Sequence, residues 1–149
     1  MQVSSHGLVQ HRVDQCYFKA AVFTNLSRDH LDYHGDMQSY GDAKLMLFRD
    51  FDADYVILNQ DDGQAEQWIE KYSFNSLICY GRKNLAPKNA QFVYFSDVSY
   101  SATGISAQLT TSWGDVAIKS PLFGEFNLYN LTAALATLLA LGYPLTQLV

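Results

Sequence analysis

Residues 20–35 read AAVFTNLSRDHLDYHG, so that an apolar run opens directly into a polar segment rich in acidic residues and histidines. The run at 17–24 is dominated by apolar and aromatic residues, which is typical of a strand buried within a parallel sheet. Proteins built on such sheets bind their ligands outside the carboxyl ends of the strands. The stretch therefore predicts an α/β fold with its chemistry after residue 24.

Strands and helices alternate through the first half of the chain. Apolar runs predict strands at 17–24, 55–58 and 76–80, and amphipathic spacing predicts helices at 36–49 and 65–72. This order predicts a mostly parallel sheet flanked by helices. After Gly81 the pattern changes, and runs at 90–96, 104–111 and 116–118 predict a small antiparallel sheet packed beside the parallel one. A long helix at 124–141 follows.

The composition indicates one ordinary soluble domain. With 149 residues and a net charge of −5, the chain can bury a core, and it has no Lys/Arg run of the kind that binds nucleic acid. Cys16 and Cys79 lie far apart in apolar runs, which favours buried thiols in a reducing compartment. The longest apolar run, 131–141, is shorter than the about 20 residues that span a bilayer. We expect a cytoplasmic protein with neither a nucleic-acid nor a membrane partner.

Both ends of the sequence have the character of interrupted elements. Residues 1–3 are similar to the end of a strand, and a helix that starts after Pro144 stops at Val149. We therefore expect a piece of a larger protein. Because a truncated parallel sheet exposes a strand edge and apolar surface, we expect the isolated piece to self-associate.

One lysine lies on an apolar helical stripe. In the first predicted helix, Lys44 shares a face with Met37, Tyr40, Leu47 and Phe48. Desolvation disfavours the charged form of a lysine, and a neutral amine can act as a base, form a Schiff base or become a carbamate. The alternative is that Lys44 extends its ammonium past the stripe to water.

Two histidines in the polar segment have the spacing of metal ligands. His30 and His34 are four residues apart, with Asp32 between them. On a helix this spacing places both imidazoles on one face, where they could hold one metal ion. A metal-dependent hydrolase that uses these three residues is one alternative, and a solvated acidic loop is another.

Other polar residues have both a binding and a structural interpretation. Arg12 could hold a carboxylate or phosphate, or lie at the surface. Asn127 and Asn130, at the start of the long helix, could cap it or contact a base edge. Residues 4–6, Ser-Ser-His, lack an ordered acid partner, so a nucleophile–base pair there is not favoured. The sequence contains no G-x-x-x-x-G-K-[ST] phosphate loop.

Four segments together resemble the Mur ligases. They are MQVSSHGLVQHR at 1–12, TNLSRDHLDYHG at 24–35, Ala43-Lys44 and GEFNLYN at 124–130. The asparagine and Asp-His core of the second segment is shared with folylpolyglutamate synthetases, whereas SSHGL and Arg12 are typical of the members that form the muramoyl tripeptide. The resemblance implies the second half of a P-loop-type sheet. Residues 1–149 would then be the C-terminal part of the central ATP-binding domain, without its phosphate loop or the flanking domains.

The resemblance also implies an ATP-dependent, amide-forming ligase of peptidoglycan synthesis. Its substrates would be UDP-N-acetylmuramoyl-L-alanyl-D-glutamate and either meso-diaminopimelate or L-lysine, with ATP and Mg²⁺ as cofactors. ATP phosphorylates the substrate carboxylate, and the incoming amine then displaces phosphate from the acyl phosphate. The parent protein is expected to be a monomer, and the isolated chain is expected to be inactive because it lacks the loop that cradles ATP.

Five positions correspond to residues of the family that bind substrate or nucleotide. The resemblance implies that Ser4, Gln10 and Arg12 hold the UDP-muramoyl dipeptide. It implies that Asn127 and Asn130 lie near the adenine of ATP.

Three further positions correspond to residues that hold magnesium. The resemblance implies that Lys44 becomes carbamylated and that it shares one Mg²⁺ with His30, so that both are catalytic. Gln2 stands where the family has a glutamate that serves a second magnesium, and a neutral amide should bind this ion more weakly. This departure is the sole support for another alternative, a degenerate relative that kept the fold as a non-catalytic binding module.

Overall fold

The computed structural model describes residues 1–26 and 36–149. Six strands in this part of the chain form one sheet in the order β1-β2-β3-β4-β5-β6. The strands are β1 (Ala20–Phe23), β2 (Tyr55–Asn59), β3 (Leu77–Gly81), β4 (Gln91–Ser101), β5 (Gly104–Thr111) and β6 (Gly114–Ser120). The described helices are α1 (Ser5–Val9), α2 (Met37–Arg49), α3 (Gly63–Lys71), α4 (Glu125–Ala140) and α5 (Leu145–Leu148). Among these helices, none is long and apolar enough to cross a membrane.

The first four strands run parallel, which confirms the prediction from the alternation of strands and helices. β1 pairs with β2 through Val22 and Ile57, β2 pairs with β3 through Ile57 and Ile78, and β3 pairs with β4 through Tyr80 and Val93. Nearly every residue of β2 and β3 is buried, because helices cover both faces of the sheet. The carboxyl ends of β1, β2 and β3 therefore lie at the same side of the sheet.

The predicted antiparallel strands are confirmed, but they continue the parallel sheet and do not pack beside it. β4 pairs in parallel with β3 through residues 91–94 and antiparallel with β5 through residues 93–101. It is 11 residues long, and Val93, Tyr94 and Phe95 are buried in its first half. A strand of this length can complete the parallel half at one end and start the antiparallel ribbon at the other.

Alternate residues of β2 belong to different hydrophobic clusters, one on each face of the sheet. Ile57 belongs to a cluster that includes Leu128 and Leu139 of α4. Val56 and Leu58 belong to a second cluster, with side chains from α2 and α3. At the centre of the second cluster, ring centroids lie 4.7–6.1 Å apart among Phe23, Phe48 and Trp68.

The strand predicted at 17–24 is confirmed as β1 but starts later, at Ala20. Ahead of it, the hydroxyl of Tyr17 and the ammonium of Lys19 both donate hydrogen bonds to the carboxylate of Asp54. The prediction of a strand end at residues 1–3 was wrong. Residues 1–3 pair with no strand in the described part of the chain. Apolar letters alone cannot fix a strand, since pairing also needs a neighbouring strand in the right place.

The two cysteines differ in exposure, so the expectation that both are buried was wrong for Cys16. Cys16 is exposed and Cys79 is buried in β3. Burial raises the pKa of Cys79 to about 12. Cys79 is therefore a thiol packed into the core and not a nucleophile.

This difference predicts selective labelling of the folded chain. A thiol reagent at mildly alkaline pH should modify Cys16 quickly and Cys79 only after denaturant is added, because the thiolate is the reacting form. Mass spectrometry after labelling measures the number of modified thiols. A Cys16→Ser variant serves as the control, and rapid modification of that variant in its native state would contradict the buried position of Cys79.

Candidate functional site

Polar side chains converge where β1 and β2 end and α4 begins. They surround a space of about 570 Å³, called here the α4 cavity. Its wall consists of Thr24, Asn25, Asn59, Asp61, Asp62, Glu125, Phe126, Tyr129 and Asn130. The cavity lies at the carboxyl ends of parallel strands, which is where sheets of this kind bind ligands. Thr24 and Asn25 belong to its wall, at the end of the strand after which the sequence predicts the functional residues.

Asn59 connects the end of β1 to the loop after β2. Its Nδ2 donates to the backbone carbonyl of Thr24 at 2.7 Å, and its Oδ1 accepts from the N–H of Asp61 at 3.1 Å. The residue is only 7% exposed. Both halves of the amide are therefore used to fix the floor of the α4 cavity.

Removing this amide should destabilise the chain. We expect Asn59→Ala to lower the free energy of unfolding by roughly 1–2 kcal/mol, because two backbone groups lose their partner at a buried position. Urea denaturation should show a lower midpoint with an unchanged slope. Exposed Asn84 is the matched control, and Asn84→Ala should leave the midpoint unchanged. Equal midpoints for both variants would contradict the structural role of Asn59.

Asp62 begins α3, as the cap sequence after the second strand predicted. Its Oδ1 accepts from the N–H of Gln64 at 2.9 Å. Its Oδ2 accepts from the N–H of Leu26 at 3.0 Å. The same carboxylate thus caps a helix and holds the backbone just ahead of the polar segment at 27–35.

Asp61 joins two further elements through both of its carboxylate oxygens. Oδ2 accepts from the backbone N–H of Arg82 at 2.6 Å and from the hydroxyl of Tyr129 at 2.7 Å. Oδ1 accepts from the N–H of Lys83 at 3.0 Å. Burial, and then the hydrogen bond to Asp61, raise the pKa of Tyr129, so that its hydroxyl remains a donor at neutral pH. Asp61 therefore links the loop after β3 to the second turn of α4.

A second contact joins the same loop to α4. Nη2 of Arg82 donates to Oε1 of Glu125 at 2.6 Å, and the guanidinium lies 5.2 Å from the ring centroid of Phe95. Both charged side chains are about half exposed, 46% and 55%. Solvent screens a pair of this kind, so its contribution to stability is at most about 1 kcal/mol.

The side chains of the two predicted asparagines have different surroundings. Four residues of α4 lie on the face toward the cavity: Glu125, Phe126, Tyr129 and Asn130. Asn127 is used differently, because its Nδ2 donates to the carbonyl of Phe123 at 2.8 Å. Both residues belong to α4, but the structure places Asn130 in the wall of the α4 cavity and bonds the side chain of Asn127 to the turn before the helix.

A second space, called here the β1 cavity, lies along β1 and has a volume of about 470 Å³. It shares Thr24 and Asn25 with the α4 cavity, and its wall also contains Gln2 and Lys44. Two of the three residues predicted to hold magnesium therefore surround one space. The third, His30, lies outside the described residues.

Lys44 lies among aromatic residues of α2, as the sequence predicted. Tyr40 and Phe48 are buried, whereas Met37 at the start of the helix is exposed. The Nζ of Lys44 is 5.4 Å from the ring centroid of Tyr40. A cation over an aromatic face is stabilised by about 0.5–1 kcal/mol. The position therefore accommodates an ammonium beside the ring and also borders the β1 cavity.

The predicted substrate-binding residues lie around α1. Oγ of Ser4 accepts from the N–H of Gly7 at 3.0 Å and caps this short helix. Gln10 and Arg12 follow its end, and both are exposed. None of the three lines the α4 cavity or the β1 cavity. Because α1 packs against α2, they lie beside the helix that carries Lys44.

The histidine-based metal site falls on residues that the structure does not describe. His30, His34 and Asp32 all lie between residues 26 and 36. Among the described residues, no group of three or more His, Cys, Asp or Glu side chains is arranged to hold a metal ion.

Sequence reasoning missed three residues of the α4 cavity. Asn59 and Asp61 were read only as part of a helix cap, although they directly follow a buried strand. Tyr129 was not singled out, although it lies beside Asn130 and one helical turn after Glu125. The available signals were the position after a strand and the helical spacing.

Comparisons with known proteins agree with one another. The family described as "Mur ligase middle domain" matches residues 1–138. The UDP-N-acetylmuramoyl-L-alanyl-D-glutamate–2,6-diaminopimelate ligase of Vibrio cholerae is 43% identical over 148 residues, 99% of this chain and 29% of the relative. A solved structure of a ligase with this name has a TM-score of 0.84 and 36% identity, over 99% of this chain and 30% of that one. MurF from Acinetobacter baumannii shares the fold, with a TM-score of 0.73 and 24% identity over 88% of this chain and 28% of that one. The chain thus spans less than a third of the length of these relatives.

Proposed function

The chain belongs to the Mur ligase middle-domain family, and on this premise we propose that residues 1–149 are the C-terminal part of a central ATP-binding domain. The protein that carries them is an ATP-dependent ligase that adds an amino acid to UDP-N-acetylmuramoyl-L-alanyl-D-glutamate. Of the two amino acids we favour diaminopimelate, because the relative that is 43% identical is named as a 2,6-diaminopimelate ligase. The observation that carries the proposal is the α4 cavity, a polar space at the ends of parallel strands beside the Asn130 segment.

The α4 cavity suits the base and ribose of a nucleotide. Asn130 offers an amide donor and acceptor that can pair with a base edge, and Phe126 offers a ring that is 68% exposed. The phosphates require a separate loop, since the sequence has no phosphate-binding motif of its own. The isolated chain should therefore supply the nucleoside end of the ATP site and not the phosphate end.

The β1 cavity has the donor chemistry for a magnesium ion. Mg²⁺ prefers oxygen ligands, and Gln2, Thr24 and Asn25 carry side-chain oxygens around this space. Lys44 and His30 would serve the other of the two magnesium ions, and Lys44 would do so only as a carbamate, which replaces the cation with an anionic oxygen ligand. Bound there, Mg²⁺ supplies positive charge for the phosphate oxygens during transfer.

The reaction that we propose has two balanced steps. The substrate carboxylate attacks the γ-phosphorus of ATP, the bond to the bridging oxygen breaks, and ADP leaves with the formation of an acyl phosphate. The amine of the incoming amino acid then attacks the acyl carbon, the bond from that carbon to the phosphate oxygen breaks, and phosphate leaves with the proton that the nitrogen loses as the amide forms. The residues of this chain contribute by holding the nucleotide and by placing ligands for the metal ion.

The test is ADP release by the full-length protein. Release should require ATP, the UDP-muramoyl dipeptide and diaminopimelate together, and the product should be the tripeptide. The 149-residue chain alone should release no ADP. The alternative of a metal-dependent hydrolase would instead be supported by zinc-dependent hydrolysis of a substrate. It would also require that His30→Ala and His34→Ala lose activity equally. If the wild-type protein binds no adenine nucleotide, the result would support the alternative of a non-catalytic binding module.

A further inference from the structure

The long helix α4 begins without a cap of its own. Gly124 occupies the N-cap position with φ of 87° and makes no side-chain capping hydrogen bond. A helix start of this kind leaves backbone N–H groups without helical partners and is held by contacts from outside. The residues of α4 that face the α4 cavity all lie in the first two turns of this helix, so whatever holds these turns also places that part of the cavity wall.

Two side-chain contacts attach these turns to the loops after β2 and β3. The contact of Arg82 with Glu125 is about half exposed and weak. The hydroxyl of Tyr129 donates to the carboxylate of Asp61 at 2.7 Å in a partly buried position. Both contacts are charge-assisted, but solvent screens the partly buried second contact less, so the second contact contributes more.

Asp61 is itself held in place independently of α4. The backbone N–H groups of Arg82 and Lys83 both donate to its carboxylate. Gly81 leaves room for it, since a Cβ at this position would lie 2.6 Å from Oδ2 of Asp61. The carboxylate that accepts from Tyr129 is thus held at the ends of β2 and β3 by contacts that do not involve α4.

Resting on the proposed function, we propose that Tyr129 is a positioning residue for ATP. Its hydrogen bond to Asp61 sets the height and rotation of the start of α4 over the strand ends. This places its neighbours Asn130 and Phe126 where they meet the nucleoside. Without the hydroxyl, the helix start can shift by a fraction of its pitch, and the nucleotide loses affinity while the chemistry at the carboxylate is unaffected.

The test uses the full-length protein with Tyr129→Phe, which removes only the hydroxyl. We expect KM for ATP, and Kd for ADP measured by calorimetry, to rise about five- to tenfold with kcat within twofold. Tyr94→Phe is the matched control, because the Tyr94 hydroxyl is also buried and bonded, to Gln60 and to the N–H of Ala86, but does not contact α4. It should lower Tm and leave KM for ATP unchanged.

A second variant separates positioning from general stability. In Asp61→Asn the carboxylate is lost, so KM for ATP should rise as in Tyr129→Phe, and the double variant should be no worse than Asp61→Asn alone. Additive effects, or an unchanged KM in Tyr129→Phe beside an active wild type, would overturn the inference and leave the proposed function standing. A wild-type protein that neither binds ADP nor releases it would overturn both.

Discussion

Replacing Lys44 by alanine in the full-length protein should lower kcat for ligation by about 10²–10³-fold, the usual cost of losing one group that stabilises transition-state charge. The reason is the position of Lys44 on the wall of the β1 cavity, together with Gln2, Thr24 and Asn25. In the proposed reaction it serves as a carbamate ligand of magnesium. Alanine removes that ligand, whereas the fold should persist because Lys44 is only half-buried. Steady-state ADP release measures the effect.

Two variants make this result specific. Lys71 is a matched control, because its Nζ also lies 5.4 Å from an aromatic ring, that of Tyr72, but Lys71 is exposed at the end of α3 and borders neither cavity. Lys71→Ala should keep kcat within twofold. Lys44→Arg keeps the positive charge but cannot form the carbamate, so it should be as impaired as Lys44→Ala. Retained activity in Lys44→Arg would show that a cation over Tyr40 is sufficient and that no carbamate is needed.

The parallel half of the fold could be predicted because its signals are local. The apolar runs that form β2 and β3 are each bounded by polar or glycine residues, and a helix with clear amphipathic spacing, α3, lies between them. The double role of β4 could not be predicted in the same way. Residues 91–94 pair with β3 across a loop, whereas residues 93–101 pair with β5, which follows directly in a hairpin. A local pattern records that a strand forms but not how many neighbours it has.

The candidate site shows the same division. Lys44 stood out in the sequence because a charge on an apolar stripe is a local anomaly. Asn127 and Asn130 could not be separated by helical periodicity, since residues three apart lie on the same side of a helix, and the hydrogen bond of Asn127 to Phe123 distinguishes them. The role of Asp61 could not be predicted from the sequence, because its hydrogen-bond donors come from Arg82, Lys83 and Tyr129. Three distant segments must fold together before that carboxylate has a function.

Gly81→Ala should be the most damaging small substitution near the α4 cavity. Gly81 has φ of 142°, a conformation that costs a residue with a Cβ about 1–3 kcal/mol. The new Cβ would also lie 2.6 Å from Oδ2 of Asp61 and displace that carboxylate from its three donors. We expect the free energy of unfolding to fall by about 3 kcal/mol or more in urea denaturation. In the full-length protein KM for ATP should rise at least as much as in Tyr129→Phe, because the acceptor of Tyr129 moves.

Two other glycines separate the causes of this loss. Gly142 has φ of 92° and nothing within 4 Å of a built Cβ, so Gly142→Ala measures backbone strain alone. Gly63, at the start of α3, has open space and ordinary φ, so Gly63→Ala should be neutral or slightly stabilising. The excess loss of Gly81→Ala over Gly142→Ala then measures the collision with Asp61. The two variants could instead lose the same free energy of unfolding while Gly81→Ala binds ADP normally. The side chain of Asp61 could then move away from the new Cβ without loss of stability, and the position of the start of α4 would not depend on it.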